Sequence, residues 1–171
     1  LVMAAFMLVA GFFFVLATFR ADQPAEMRNL FAILVLILVA VLPAVSMRLM
    51  SEELRSGTIE PLMTAPISDR AVILGKWLGA MGFFAVLLLP TLAYLILLEI
   101  WADPDYGPII TGYVGLLLVG GLYLAIGLLA SALTRNQIIA WMATFFAILV
   151  LTVATGAWAL PRFLPDDLAE A

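Results

Sequence analysis

The segment SEELRSGTIEPLMTAPISDRAVILGK, residues 51–76, is the one long polar stretch between apolar runs in this chain. It carries seven charged side chains, and the runs on either side are apolar enough to belong in a lipid bilayer. Hydrophobic residues make up 65% of the 171 residues and charged residues only 12%, which is unusual for a soluble domain. The sequence therefore predicts an all-α integral membrane protein that holds residues 51–76 at the membrane surface.

Five apolar runs predict five transmembrane helices in a single domain, residues 1–171. An α-helix rises about 1.5 Å per residue, so each run can cross a hydrocarbon core of roughly 30 Å. Pro43 and Pro90 predict kinks in the second and third spans, and Ser68 is suited to cap the third. Because the number of spans is odd and the chain starts inside an apolar run, we expect a sixth span and a short N-terminal segment outside this sequence. The predicted spans cover about residues 1–19, 30–50, 71–98, 109–133 and 137–160.

The basic residues predict the orientation of these spans. Five of the eight Lys and Arg residues fall within residues 48–76 or at Arg135, whereas eight of the twelve acidic residues fall on the opposite side. By the positive-inside rule, residues 51–76 are cytoplasmic. In the fourth span, the pairs Gly121/Ala125 and Gly127/Ser131 have the small-xxx-small spacing that lets helix backbones approach closely.

The residue types exclude several kinds of chemistry. The chain has no histidine and no cysteine, and no span contains paired carboxylates, so we expect no catalytic residue and no metal site. The interiors of the spans hold no ionisable group, which disfavours a fragment of a secondary transporter. A structural or scaffolding membrane subunit of a multiprotein complex stays open as an alternative.

The polar segment has a local pattern of its own. Leu54, Ile59 and Leu62 can form one apolar helix face, whereas Gly57 argues against a single regular helix. We expect a short first helix, a break near Gly57 and Thr58, and a second short turn that ends at Pro66. On physical grounds alone, an interfacial loop with solvated charges is an equal alternative.

Two motifs in this chain resemble those of type-2 ABC transporter permeases. The run ELRSGTIEPLMTAPIS, residues 53–68, followed by ILGK, residues 73–76, is similar to the coupling-helix signature of that family. The run GLLASALTRNQ, residues 127–137, is similar to the family's short cytoplasmic turn between spans four and five. The overall similarity is greatest to the subfamily of permeases that serve gliding motility and nitrous oxide reductase maturation.

The resemblance implies the permease subunit of an ATP-driven exporter in a bacterial cytoplasmic membrane. The chain would pair with a second copy of itself or with a homologous permease, and each of the two would dock a cytoplasmic ABC ATPase that carries the ATP and Mg; nucleic acid is not an expected partner. No Gly-rich phosphate loop occurs in this chain, so we expect no ATP hydrolysis here. The implied docking surface consists of Glu52, Glu53, Arg55, Gly57, Thr58 and Glu60, packed by Leu62 and Pro66, with a smaller second contact at Thr134, Arg135 and Asn136.

Overall fold

A computed structural model of the protein describes residues 2–18, 27–59, 68–101 and 106–156. All regular secondary structure within these ranges is helical, which confirms the predicted all-α class. A 3-10 turn at Leu89–Thr91 interrupts the third predicted span. The helices are α1 (Val2–Thr18), α2 (Met27–Ser46), α3 (Ser51–Ser56), α4 (Asp69–Leu88), α5 (Leu92–Trp101), α6 (Tyr106–Ala132) and α7 (Gln137–Gly156).

Four stretches of the described chain are long and apolar enough to cross a membrane. They correspond to the second, third, fourth and fifth predicted spans, so the chain is a multi-pass membrane protein. Helix α1 has 17 residues, and its crossing of the membrane stays a prediction. The four stretches are Leu30–Ser56, Asp69–Leu97, Tyr106–Ala132 and Gln137–Gly156.

Helices α2 and α6 form the centre of the bundle, with α1 and α7 packed against α2, and α4 and α7 packed against α6. One stripe of α2 is fully buried, and because residues four apart lie on the same helix face, this stripe faces other helices along the whole length of α2. Lipid tails are as apolar as leucine, so the association rests on close packing rather than on removal of water. The stripe consists of Leu30, Leu34, Leu38, Leu42 and Ser46.

Proline accounts for an irregularity inside the third span. Pro90 has no N–H to donate to the preceding turn, and the chain tightens into the 3-10 turn there, as the predicted kink requires. The buried Thr91 hydroxyl donates to the Leu88 carbonyl at 2.6 Å and also lies 3.0 Å from the Tyr113 hydroxyl of α6. Side-chain hydrogen bonds therefore support the chain at this break.

Other polar side chains join the helices to one another. The Tyr94 hydroxyl donates to the Met7 carbonyl at 2.8 Å, which connects α5 to α1. The Trp77 indole N–H donates to the Gly121 carbonyl at 3.0 Å, which connects α4 to α6. A membrane interior offers no water to polar groups, so such bonds between helices both satisfy the groups and fix the packing.

Candidate coupling site beside α3

Helix α3 is a short charged element between the second and third spans. Its first turn carries Glu52 and Glu53 and its last turn carries Arg55, the arrangement that the helix dipole favours. The helix ends at Gly57, whose φ of 76° is left-handed and suits glycine. The predicted short helix and the predicted break at Gly57 are both confirmed.

Hydroxyl groups form hydrogen bonds at the C-terminal end of α3 and at the start of α4. Ser56 Oγ donates to the Glu52 carbonyl at 2.8 Å and lies 2.9 Å from Thr58 Oγ1, and both side chains are exposed. Ser68 caps α4 as predicted, because its hydroxyl accepts from the Ala71 N–H at 3.3 Å. The predicted second turn, with Glu60, Leu62 and Pro66, lies outside the described residues.

The start of α3 is held by Ser131 of α6. The Ser131 hydroxyl accepts from the backbone N–H groups of Met50 and Ser51 at 3.0 and 2.9 Å, and it donates to the Met47 carbonyl at 3.0 Å. A serine hydroxyl has one hydrogen to donate and two lone pairs, so the bonding capacity of Ser131 is fully used. Ser131 and Ser51 are both fully buried, and Ser51 Oγ also donates to the Met47 carbonyl.

A glycine one turn earlier brings Ser131 to this position. A Cβ on Gly127 would overlap the Ser46 side chain at the end of α2, and it would lie 3.2 Å from a methyl of Thr144 in α7. The absence of a side chain therefore lets α6 approach the end of α2 closely. The predicted small-xxx-small pair Gly127/Ser131 is confirmed as a close helix contact, and its second member also forms hydrogen bonds.

Lys76 of α4 holds the same region from the other side. Its ammonium group donates to the Leu49 carbonyl at 2.7 Å and to Glu53 Oε1 at 2.5 Å. The two charged side chains are only 19% and 29% exposed, so water screens the pair less than it screens a surface ion pair. Glu53 Oε2 is buried and has no hydrogen-bond partner within the described residues.

These contacts divide the predicted docking residues into two groups. Glu52, Arg55 and Thr58 are exposed to solvent, whereas Glu53 faces α4 and is bound to Lys76. The sequence had placed Glu53 on the docking surface with the others, and in the structure the carboxylate also joins α3 to the bundle. The exposed face of α3 in the described region is therefore formed by Glu52, Arg55 and Ser56, with Thr58 just beyond its end.

The predicted second contact lies between α6 and α7. Arg135 is exposed, and Asn136 caps α7, because its Oδ1 accepts from the Ile138 N–H at 3.0 Å. Thr134 Oγ1 accepts from the Asn136 N–H at 3.1 Å and so fixes the turn. This turn begins three residues after Ser131, and α3 contacts both α6 and α7, so the two predicted contact regions lie at the same end of the bundle.

An open apolar groove of about 440 Å³ lies beside this region, between α4 and α6. Its lining includes Met50, Trp77 and Leu128 and is almost entirely apolar. A groove of this kind has no polar group to orient a ligand, so it identifies no substrate. Within the described residues, no group of three or more Asp or Glu side chains is placed to hold a metal ion.

Sequence reasoning missed the bracing role of Lys76 and Ser131. In the sequence, Lys76 is the last residue of the polar segment, and Ser131 was interpreted as a small residue that permits close packing. Their partners are 23 to 84 residues away along the chain, so no local pattern shows these hydrogen bonds. A polar residue at a small-xxx-small position was the available signal, since such residues also form hydrogen bonds between helices.

Several apolar helices joined to a short charged helix at one end define a multi-pass membrane protein. A family model described as "ABC-2 family transporter protein" matches residues 1–162, and the chain belongs to this family. It is thus a permease component of an ABC transporter, a transport subunit that is not itself catalytic, and its family implies an ABC ATPase partner. No curated protein and no solved structure matches the chain.

Proposed function

We propose that this permease is the membrane subunit of an ATP-driven exporter and that α3 is its coupling helix. In this proposal two permease copies form the translocation path, and each binds a separate cytoplasmic ATPase that supplies the ATP and Mg. The membrane is the bacterial cytoplasmic membrane, with α3 on the cytoplasmic side as the positive-inside rule predicts. The resemblance to permeases of gliding motility and nitrous oxide reductase maturation supports the direction of transport.

The observation that carries the proposal is the two-sided character of α3. Its inner side is bound to two spans through Ser131 and Lys76, while Glu52 and Arg55 remain exposed on its outer side. An interfacial loop with solvated charges would need no such bracing, because its charges gain little from a fixed position. A fixed charged surface is what a protein partner can recognise, since charge complementarity gives specificity to an interface.

The docking surface of the proposal extends beyond α3. Glu52, Arg55 and Thr58 form its described part, Gly57 sets the direction in which the chain leaves α3, and Glu53 is half-buried between this surface and α4. The resemblance adds Glu60, Leu62 and Pro66 to this surface. Thr134, Arg135 and Asn136 form the smaller second contact.

Co-purification with the ABC ATPase encoded nearest to this chain tests the proposal. The intact permease, affinity-tagged in a mild detergent, is expected to retain the ATPase. The double variant Glu52→Arg with Arg55→Glu reverses both exposed charges of α3 without changing the net charge. We expect this variant to insert normally and to bind the ATPase roughly tenfold more weakly, the equivalent of about 1.4 kcal/mol.

The matched control is Asp69→Arg with Arg70→Glu. This pair is exposed at the start of α4, on the same predicted side of the membrane, and lies outside the predicted docking surface. It makes the same exchange of charges, so a general electrostatic effect would weaken ATPase binding equally in both variants. Equal weakening, or an ATPase that the unmodified permease does not retain, would overturn the proposal.

A further inference from the structure

The connection between α2 and α3 is a turn of four residues, 47–50, whose rigidity is not provided by the backbone alone. Three backbone hydrogen bonds lie within or beside it: from the Met47 N–H to the Pro43 carbonyl, from the Leu49 N–H to the Ser46 carbonyl, and from the Leu54 N–H to the Met50 carbonyl. A short turn of this kind between two helices can act as a hinge, because a few residues at the end of an element absorb changes in backbone dihedral angle.

Ser131 binds this turn at both ends. Its hydroxyl donates to the Met47 carbonyl, where the turn begins, and accepts from the N–H groups of Met50 and Ser51, where α3 begins. Each distance is between 2.9 and 3.0 Å, and Ser131 is fully buried, so water cannot replace the hydroxyl as a partner. Bending at the turn would move the Met47 carbonyl away from the N–H groups of Met50 and Ser51, and so break hydrogen bonds to the Ser131 hydroxyl.

Lys76 supports the middle of the same turn. Its ammonium group binds the Leu49 carbonyl and the carboxylate of Glu53, in the first turn of α3. The turn is thus joined to α6 by Ser131 and to α4 by Lys76, while α2 continues into it through the backbone. Three spans therefore hold the position and the angle of α3.

We propose that Ser131 is a positioning residue that keeps α3 rigid relative to the spans, so that a displacement of α3 by the ATPase moves the spans instead of bending the turn. Lys76 is the second brace of the same device. The inference rests on the proposed function, since it takes the ATPase as the source of the displacement. It assigns to Ser131 a role in transmission and none in docking, because its side chain is fully buried beneath α3.

Spin-label distances in the complex of permease and ATPase test this inference. Residues 1–171 contain no cysteine, so introduced cysteines are the only labelling sites within this part of the permease. Ser56→Cys with Leu118→Cys places labels on α3 and α6, and Ile96→Cys with Leu118→Cys places them on α5 and α6; all three positions are exposed. Each pair is measured without nucleotide and with ATP, in phosphatidylethanolamine–phosphatidylglycerol vesicles.

With Ser131 present, we expect the distance from α3 to α6 to stay narrow and unchanged when ATP binds, while the distance from α5 to α6 shifts. In Ser131→Ala, the distance from α3 to α6 should broaden when ATP binds, and most of the shift between α5 and α6 should be lost. A purely structural role of Ser131 would broaden the first distance equally with and without ATP. Thr155→Ala is the control, because among the described residues its hydroxyl bonds only to carbonyls of its own helix.

Lys76→Met provides a second variant in case Ser131→Ala folds poorly, and it should show the same ATP-dependent broadening. Loss of hydrogen-exchange protection at the Met50 and Ser51 amides in Ser131→Ala would verify the contacts themselves. The inference is overturned if Ser131→Ala and Lys76→Met both behave like the control in the two distances. A permease that retains the ATPase yet shows no ATP-dependent shift overturns this inference alone, whereas a permease that retains no ATPase overturns the proposed function.

Discussion

Lys76 of α4 and Glu53 of α3 form an ion pair with 2.5 Å between Nζ and Oε1, and the same ammonium group binds the Leu49 carbonyl. Lys76→Met keeps the aliphatic length of the side chain and removes both bonds. We expect the free energy of unfolding to fall by about 2 kcal/mol, since hydrogen bonds to charged groups contribute about 1.5–3 kcal/mol and this pair is partly exposed to water. Unfolding in mixed detergent micelles, followed by circular dichroism, measures the change.

Glu53→Gln separates the two bonds of Lys76. It removes the ion pair but leaves the bond from Lys76 to the Leu49 carbonyl, so the loss should be about half that of Lys76→Met. Arg70→Met on the same helix is the control, because Arg70 is exposed and substitutions at such positions usually change stability by less than about 0.5 kcal/mol. A change for Lys76→Met as small as that for Arg70→Met would show that the brace contributes nothing to folding.

Gly127 and Gly115 both lie on α6, and replacing each of them with alanine should have opposite effects on stability. A Cβ at Gly127 would overlap the Ser46 side chain, so Gly127→Ala should destabilise the bundle by about 1–3 kcal/mol, as overpacking does. A Cβ at Gly115 would have no neighbour within 4 Å, so Gly115→Ala should stabilise α6 by up to about 1 kcal/mol. Thermal unfolding in detergent compares the two variants, and equal effects would contradict the close approach of α2 and α6.

Substitutions of Gly57 should destabilise the end of α3 through the backbone conformation, without a steric clash. Its φ is 76°, and a Cβ there would have no neighbour within 4 Å, so Gly57→Ala should weaken the end of α3 by about 1–2 kcal/mol through the backbone conformation alone. Gly57→Asn should be milder, because asparagine tolerates the left-handed region better than alanine does. Hydrogen exchange of the α3 amides measures the difference, with Gly82→Ala as a control at a glycine in regular helix. Equal exchange in Gly57→Ala and Gly57→Asn would contradict this reason.

The sequence predicted those features that depend on neighbouring residues. The long apolar runs predicted five spans, and four of these correspond to stretches that are able to cross a membrane, a property that length and composition alone decide. The helix break at Gly57 and the cap at Ser68 also follow from local backbone chemistry, and both are confirmed. The regular part of α2 ends at Ser46, a few residues before its predicted end, because the chain turns there toward α3.

The bracing contacts depend on how the helices pack, and this explains why the sequence did not predict them. The side to which Glu53 points is not determined by the pattern of a six-residue helix, in which too few positions define a face. Its partner Lys76 is known only once α4 has been placed beside α3. For Ser131, the small-xxx-small spacing predicted the close approach, but the bonds to Met50 and Ser51 follow from the path of the turn after α2.

Asn136 offers a test of whether the second contact is structural or functional. Its Oδ1 caps α7 at the Ile138 N–H, so Asn136→Ala should lower the free energy of unfolding by about 1 kcal/mol. Asn136→Asp keeps an acceptor at the cap and should be as stable as the unmodified protein, or slightly more so, because a negative charge suits a helix N-terminus. Unfolding and ATPase retention are measured together on both variants.

Arg135, which precedes Asn136, does not stabilise the turn in this way. It is exposed, and the described hydrogen bonds of the turn come from Thr134 and Asn136. We therefore expect Arg135→Ala to leave the free energy of unfolding unchanged and to weaken ATPase binding. Asn136→Asp should also leave the free energy of unfolding unchanged, and it should weaken ATPase binding only if the amide group itself contacts the ATPase. If Arg135→Ala binds the ATPase as tightly as the unmodified permease does, and Asn136→Asp also binds normally, the turn serves only to start α7, and the docking surface is confined to α3 and the segment that follows it.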